Sequence, residues 1–374
     1  MKILNISSSV GIGGREMVCA DISKNLRAKN CEVRMITKKG TWLDKKATAD
    51  GFVNYNLPMK KYIDLYSIFR IGMILKKFKP DVVHIYFISD IWLVVPAVKL
   101  FCPRAKIFLL RCMQSSKMKD FARTILFNAL DKIITVSDFI KYDFLSKTHI
   151  KNDKIETIYV GVDLSKFDSS VDNHNILRLD YGIKSADIII GLVGRIDTGK
   201  GQDKFIYAAK DVVQKLKSQD LQLMDKLKFF IIGSSEKGAG FDYENGLKQL
   251  VKDFELDDKL VFTGFMEDIP SAMNSLDIAV FPSKDESFGM VVIEAMAMKK
   301  AVVVVKRGAF SEIVTHDENG LIVDYDSKAL ADGILELVLD ENKRKMFGEN
   351  GKKVVKDKFD LEITVQKFLE LYKK

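Results

Sequence analysis

"DIIIGLVGRIDTGKGQDKFIYAAKDVVQKLK" (187–217) joins an apolar, β-branched run to an amphipathic segment through a loop of Gly, Arg and Lys. The run reads as a strand over 187–195 and the segment as a helix over 203–217, since its apolar residues recur at helical spacing. A strand that enters a helix through a glycine-bearing loop is the repeating unit of a parallel sheet covered by helices. The chain opens in the same way, with "KILNISS" (2–8), the loop "SSSVGIGGRE" (7–16) and the helical stretch "REMVCADISKNLRAKN" (15–30). Two halves of one kind are therefore expected.

The first half continues with strands at 32–37, 81–87, 106–111 and 132–137, and "TIYVGV" (157–162) closes it. The second adds strands at 228–233, 260–265, 277–283, 301–305 and 320–323. "DLSKFDSSVDNHN" (163–175) is polar enough to be the linker. At 374 residues the chain has room for two cores. The expected divisions are 1–165, 176–355 and a C-terminal helix, 356–374, packing back on the first domain. A cleft between the domains, faced by strand C-terminal ends, is the expected binding place.

Composition is that of an ordinary globular protein, 47% hydrophobic and 29% charged. "MKILNI" enters a strand at once, so no leader peptide is expected. "VVHIYFISDIWLVVPAV" (82–98) is broken by His84, Asp90 and Pro96, and reads as a strand and a helix rather than a membrane span. Cys19, Cys31, Cys102 and Cys112 form no CxxC pair; buried free thiols in a reducing cytoplasm are expected. Residues 1–165 carry 28 Lys and Arg against 15 Asp and Glu, whereas the remainder carries 31 against 36. The basic pairs, such as Lys60-Lys61, are dispersed and lack interleaved aromatics, which argues against nucleic acid. The basic half suits an anionic membrane surface or a phosphorylated substrate.

The loop at 7–16 brings glycine backbone to a helix N-terminus, where an anion is favoured. A dinucleotide frame would need a third glycine where Glu16 stands, so an NAD site is a poor match. A tight turn without ligand explains this loop equally well. Arg195 and Lys200 lie where a strand meets a helix, and together can hold phosphate oxygens, although the loop is no Walker sequence.

"KDESFGMVVIEAMAM" (284–298) completes the set. Glu286 precedes a helix expected from about Phe288, and Glu294 lies about two turns along it. The N–H groups of Phe288, Gly289, Met290 and Val291 would be first-turn donors aimed at an anion. One glutamate can accept from hexose hydroxyls and the other from ribose, with phosphates on the cations between them. A nucleoside diphosphate sugar meets all three demands. "DYD" at 324–326 spells the metal motif of another transferase fold, but its place before a helix near Ser327 predicts capping instead.

With these residues in view, the chain resembles the retaining glycosyltransferases of family 4, over nearly its whole length. The resemblance is carried by "GG" (13–14), "GRIDTGKG" (194–201), "FTGFMEDIP" (262–270), "ESFGMVVIEAMA" (286–297) and "SEIVTHDENGLIV" (311–323). It implies the α/β GT-B fold, two Rossmann-like doubly wound domains facing each other across a cleft. It implies a retaining, metal-independent hexosyltransferase that needs no cofactor and uses a UDP- or GDP-sugar donor. Arg195 and Lys200 would stabilise the leaving diphosphate, Glu286 would hold the sugar and Glu294 the ribose. Gly264 and Phe265 would meet the base; Gly13, Gly14 and the segment Ser287 to Val291 would complete the donor site. The family's first-domain histidine is missing after "KIFLLR"; Arg111, the nearest polar residue, and His84 are the acceptor-side candidates, although His84, on another strand, is more readily a packed residue than a ligand.

A glycan or lipid-linked saccharide acceptor in bacterial surface polysaccharide synthesis, lipopolysaccharide included, is expected. The place is cytoplasmic, at the inner membrane face, with 66–79 and 117–132 as the amphipathic stretches that could touch lipid. For each stretch an ordinary helix burying its apolar side on the sheet is the first expectation. A GT-B epimerase and a non-catalytic nucleotide-sugar binder are the alternatives. The first would require more acidic groups and histidines around the sugar than a chain with 4 His offers.

Overall fold

The computed structural model describes residues 1–60, 62, 64–167, 175–235 and 241–374. Lys61 and most of the expected linker, 168–174, lie outside the described residues. Two compact units form, Met1–Val160 with Leu361–Lys374, and Gly161–Asp360.

The first unit is built on β1 (Lys2–Ser7), β2 (Glu32–Lys38), β3 (Val53–Leu57), β4 (Val82–Ile85), β5 (Lys106–Arg111), β6 (Lys132–Thr135) and β7 (Ile155–Thr157). They pair in parallel in the order β3-β2-β1-β4-β5-β6-β7. The central strands are buried on both faces, which explains their continuous apolar runs. The helix Ile91–Phe101 follows β4, so the apolar stretch 82–98 divides as expected.

Two strands depart from expectation. β3, "VNYNL", is absent from the sequence reading because it has no apolar run. It is an edge strand, and its Asn54 donates to Thr37 on β2 while the Asn54 and Asn56 side-chain oxygens lie within accepting distance of the Thr37 hydroxyl. The last strand covers 155–157, not 157–162, and Ile158 makes a final N–H contact to the Thr135 carbonyl. Val162 then bridges Asp360 instead of continuing the sheet. The helix Leu361–Lys373 belongs to the first unit: Tyr372 bonds His84 at 2.5 Å, and Thr364 Oγ1 donates to the Tyr159 carbonyl at 3.0 Å.

The second unit holds β8 (Ile188–Val193), β9 (Leu227–Ile232), β10 (Leu260–Gly264), β11 (Ile278–Phe281), β12 (Ala301–Val305) and β13 (Leu321–Val323). Their order is β10-β9-β8-β11-β12-β13, again parallel. β8, β11 and β12 are wholly buried. In each sheet the chain starts in the middle and builds first to one side, then to the other. The reversal falls between β1 and β4, and between β8 and β11. Ligands of open α/β sheets bind at such reversals, beyond the strand C-terminal ends.

Among the described residues, no helix is long and apolar enough to cross a membrane. The four cysteines are free; Cys19 and Cys31 are buried, whereas Cys102 and Cys112 are half-buried rather than fully enclosed.

Candidate functional site

In the second unit, the loops after β8 and β11 meet at the reversal. The Lys284 N–H donates to the Gly199 carbonyl at 2.9 Å, tying one loop to the other. Gly201 makes that approach feasible: its φ is +75°, and a Cβ there would stand 2.3 Å from the Pro282 carbonyl oxygen. The result is an ion pair between residues far apart in sequence, Lys200 Nζ to Glu286 Oε2 at 2.8 Å. The Glu286 carbonyl in turn accepts from the Ala309 N–H at 3.0 Å, which anchors the loop from its other side.

Arg195 projects from the end of β8, its side chain 52% exposed, with Nε donating to Asp197 at 3.0 Å. Gln202, fully buried, donates from Nε2 to the Arg195 carbonyl at 2.9 Å and so fixes the backbone beneath the guanidinium. Sequence reasoning missed Gln202; a polar residue just after a glycine at a helix start was its only signal.

The helix that carries Glu294 spans Met290–Ala297, not from Phe288. Gly289 is the reason, because its φ of +111° is left-handed and cannot continue a right-handed helix. The Val292 N–H already bonds the Gly289 carbonyl at 2.9 Å, whereas Met290 and Val291 N–H groups meet no acceptor among the described residues. Phe288 is a core residue, edge-on to Phe359 at 5.7 Å. Ser287 and Glu294 are half-buried beside it. Gly264 ends β10 at φ +74°, and Phe265 beyond it is 74% exposed, an uncommon position for a large aromatic ring.

Asp326 caps the helix Ser327–Leu339, its carboxylate accepting from the Ala329 N–H at 2.8 Å. Capping, as expected, is what this Asp does. No group of three or more His, Cys, Asp or Glu able to hold a metal occurs among the described residues.

In the first unit, Gly13 is the N-cap of the helix Gly14–Ala28. A Cβ placed on Gly11 or Gly14 would meet nothing within 4 Å, so the backbone here borders open space. Arg15, one residue on, donates to Ser9 Oγ at 2.6 Å and to Glu16 at 2.8 Å, and lies over the Phe87 ring at 4.7 Å. Beside it, Asp90 accepts from the Ser8 N–H at 2.8 Å and the Ser8 hydroxyl at 2.5 Å. Burial pushes its carboxyl up to about 6.

A cavity of about 190 Å³ opens beyond the ends of β4 and β5, beside the first turn of the helix Gly14–Ala28. Arg15, Tyr86 and Arg111 line it. Arg111 is 6% exposed and donates from Nη2 to the Met113 carbonyl at 2.9 Å and to Ser115 Oγ at 2.6 Å. His84 is fully buried among Tyr86, Phe108, Phe368 and Tyr372, and burial lowers its pKa to about 3. It packs in the core, the role the sequence favoured over ligand contact. Arg15 and Tyr86 were not among the sequence candidates: nothing local marks either as facing a cavity.

The chain is similar in sequence and in fold to known proteins. A family described as Glycosyl transferases group 1 matches residues 174–354, and Glycosyltransferase Family 4 matches 12–166. A capsular polysaccharide biosynthesis glycosyltransferase, CapM of Staphylococcus aureus, is 27% identical over 93% of this chain and 91% of its own. Spore coat protein SA of Bacillus subtilis is 26% identical over 97% and 95%. Among solved structures, a Rickettsia africae glycosyltransferase superposes with a TM-score of 0.88 at 24% identity, covering 100% of this chain and 97% of that one. Anabaena Alr3699/HepE in complex with UDP gives 0.84 at 21%, with 99% of both chains covered.

Proposed function

The chain belongs to the group 1/family 4 glycosyltransferases of the GT-B type, and from that premise we propose that it moves a hexose, with retention and without a metal, from a UDP- or GDP-sugar to a glycan or lipid-linked saccharide. The observation that carries this reading is the meeting of Lys200 and Glu286 at the reversal of the second sheet. A cation able to bind phosphate beside a carboxylate able to accept from hydroxyls suits the bond between sugar and phosphate.

As the sugar–phosphate bond breaks, negative charge grows on the leaving diphosphate. Arg195, Lys200 and the N–H groups of Met290 and Val291 supply positive charge already in place, so little reorganisation is needed. Glu286 accepts from sugar hydroxyls and, through its ion pair, also orients Lys200. Glu294 holds the ribose, and Gly264 and Phe265 meet the base. Gly13 and Gly14 are where the first unit's backbone is open to close approach by a ligand. The leaving phosphate takes the acceptor's proton on the face where the new bond forms, which preserves configuration. CapM, a relative named for capsular polysaccharide biosynthesis, supports a bacterial surface glycan as the product.

Calorimetry with UDP and GDP tests the donor assignment. Glu294→Gln should weaken binding of the matching nucleotide by about tenfold, the worth of one hydrogen bond to a charged group. Glu286→Gln should leave that binding near wild type while transfer collapses. The opposite pattern would mean that the two roles are exchanged, and no binding of either nucleotide would end the donor reading.

Attachment to the inner membrane face is part of the same proposal. The helix Leu65–Phe78 buries Ile71, Ile74, Leu75 and Phe78, yet leaves Leu65, Tyr66, Phe69 and Met73 exposed beside Lys76 and Lys77. Salt-sensitive co-sedimentation with anionic but not neutral liposomes is the expected result. Equal pelleting with both, or with neither, would refute it.

A further inference from the structure

The cavity at the end of β5 holds a cation with no paired carboxylate: the Phe144 ring lies 5.5 Å from the Arg111 guanidinium, and Asp143 acts on it only from beyond ion-pair distance. Arg111 is 6% exposed, and no carboxylate lies within ion-pair distance of it among the described residues. The acids nearby are engaged elsewhere: Glu16 with Arg15 at 2.8 Å, and Asp143 with Lys147 at 2.5 Å and the Ser115 N–H at 2.9 Å. Arg111 Nε and the Tyr86 hydroxyl are both buried and have no hydrogen-bond partner. Both residues line the cavity, and no Asp or Glu does. Exposed Met113 and Ser116 sit on its rim, so it can be reached from solvent.

A buried guanidinium without a paired carboxylate is unfavourable, and so is each buried polar atom left without a partner. An oxyanion in the cavity would supply the missing negative charge, because the planar fork of arginine matches a carboxylate or phosphate. The volume of about 190 Å³ exceeds the ~30 Å³ of one water in the liquid but falls short of the ~300 Å³ of a whole ligand site. It suits a charged group on a larger molecule. Its position at the β1/β4 reversal is where an open sheet binds ligands.

We propose that this cavity is an oxyanion site formed by Arg111, Tyr86 and Arg15, and that it takes a phosphate or carboxylate borne by the acceptor. Assigning the anion to the acceptor rests on the transferase reading, in which Arg195 and Lys200 of the second unit hold the donor's diphosphate. The oxyanion site itself rests only on the cavity.

The test is calorimetry on the full chain with inorganic phosphate, methyl glucuronide and the neutral methyl glucoside, using wild type, Arg111→Met and Arg111→Lys. Wild type should bind at least one anion and not the glucoside. Arg111→Met should lose affinity by about tenfold or more, and Arg111→Lys by less, since charge remains but the fork does not. If Arg111→Met does not fold, the drop in Arg111→Lys carries the test. Phosphate without glucuronide binding identifies a phosphorylated acceptor, and the reverse a uronic acid. No anion binding, equal binding of the glucoside, or affinity unchanged in the variants would overturn the site. UDP and GDP titrated into the same wild-type sample separate the two readings. Nucleotide binding without anion binding removes only the oxyanion site. Arg111-dependent anion binding without nucleotide binding removes the donor reading and keeps the site.

Discussion

At the reversal of the second sheet, Lys200 meets Glu286 at 2.8 Å; at that of the first, Arg111 is 6% exposed and meets no carboxylate among the described residues. Both sheets place cations at their strand C-terminal ends; Lys200 and Arg15 have a carboxylate beside them, and Arg111 has none. The difference follows from chemistry. A lysine has three donors, so Lys200 can keep Glu286 and still offer hydrogen bonds to a phosphate. The Arg111 fork spends Nη2 on Met113 and Ser115 and leaves Nε without a partner. Lys200 is paired within the protein, whereas Arg111 is left without a paired carboxylate beside a cavity.

The largest effect expected from this comparison is on turnover. Lys200→Ala or Arg195→Ala should remove ~3–4 kcal/mol of transition-state stabilisation, lowering turnover by orders of magnitude while the fold survives. Steady-state kinetics beside a thermal melt checks it, and near-wild-type turnover in both variants would break the proposed division of labour.

The glycines sharpen the contrast at a smaller scale. Gly201→Ala places a Cβ 2.3 Å from the Pro282 oxygen at a φ of +75°, so the β8 and β11 loops must separate. A loss of about 2–3 kcal/mol in denaturant unfolding is expected, from strain and a broken contact together. Gly14→Ala meets open space and should fold at least as stably, since alanine is the better helix former by about 1 kcal/mol. If Gly14 serves donor approach, that variant loses donor affinity without losing stability. Unaltered affinity would reduce the loop at 7–16 to a turn.

The smallest effect is electrostatic. Asp90, 2% exposed, has its carboxyl raised from an ordinary 3.8 to about 6 by burial, against the two hydrogen bonds from Ser8. A raised pKa means that the folded chain holds this proton longer than the unfolded one. The associated stability is therefore fully present below the unfolded value and is lost as pH rises through about 6. Asp90→Asn should gain about 2 kcal/mol relative to wild type between about pH 4 and about pH 7. A difference that stays flat with pH would show that Asp90 ionises normally, and that charges at this reversal are less isolated than Arg111 implies.

How much of this was legible beforehand varies with the range of the interaction. β8, β11 and β12 announce themselves because strands buried on both faces need apolar residues at every position. β3 did not, because an edge strand can satisfy its polar side chains across a single neighbour, as Asn54 and Asn56 do with Thr37. The helix start at Met290 rather than Phe288 turned on the φ of Gly289, a value its letter permits but does not dictate.

Local spacing determined by itself that the chain has two βα halves, a cation-bearing loop at 195–200, and glutamates at 286 and 294 flanking a helix start. These depend on neighbours in sequence, whose backbone geometry is largely set by residue type. Only the tertiary structure decided that β8 lies beside β11, bringing Lys200 to Glu286 across 86 positions. It alone decided that His84 lies under Tyr372 and that Arg111 faces a cavity without a counter-ion. Strand order and burial come from packing apolar surface across the whole unit, so which charge meets a partner, and which meets none, is settled only when distant segments come together.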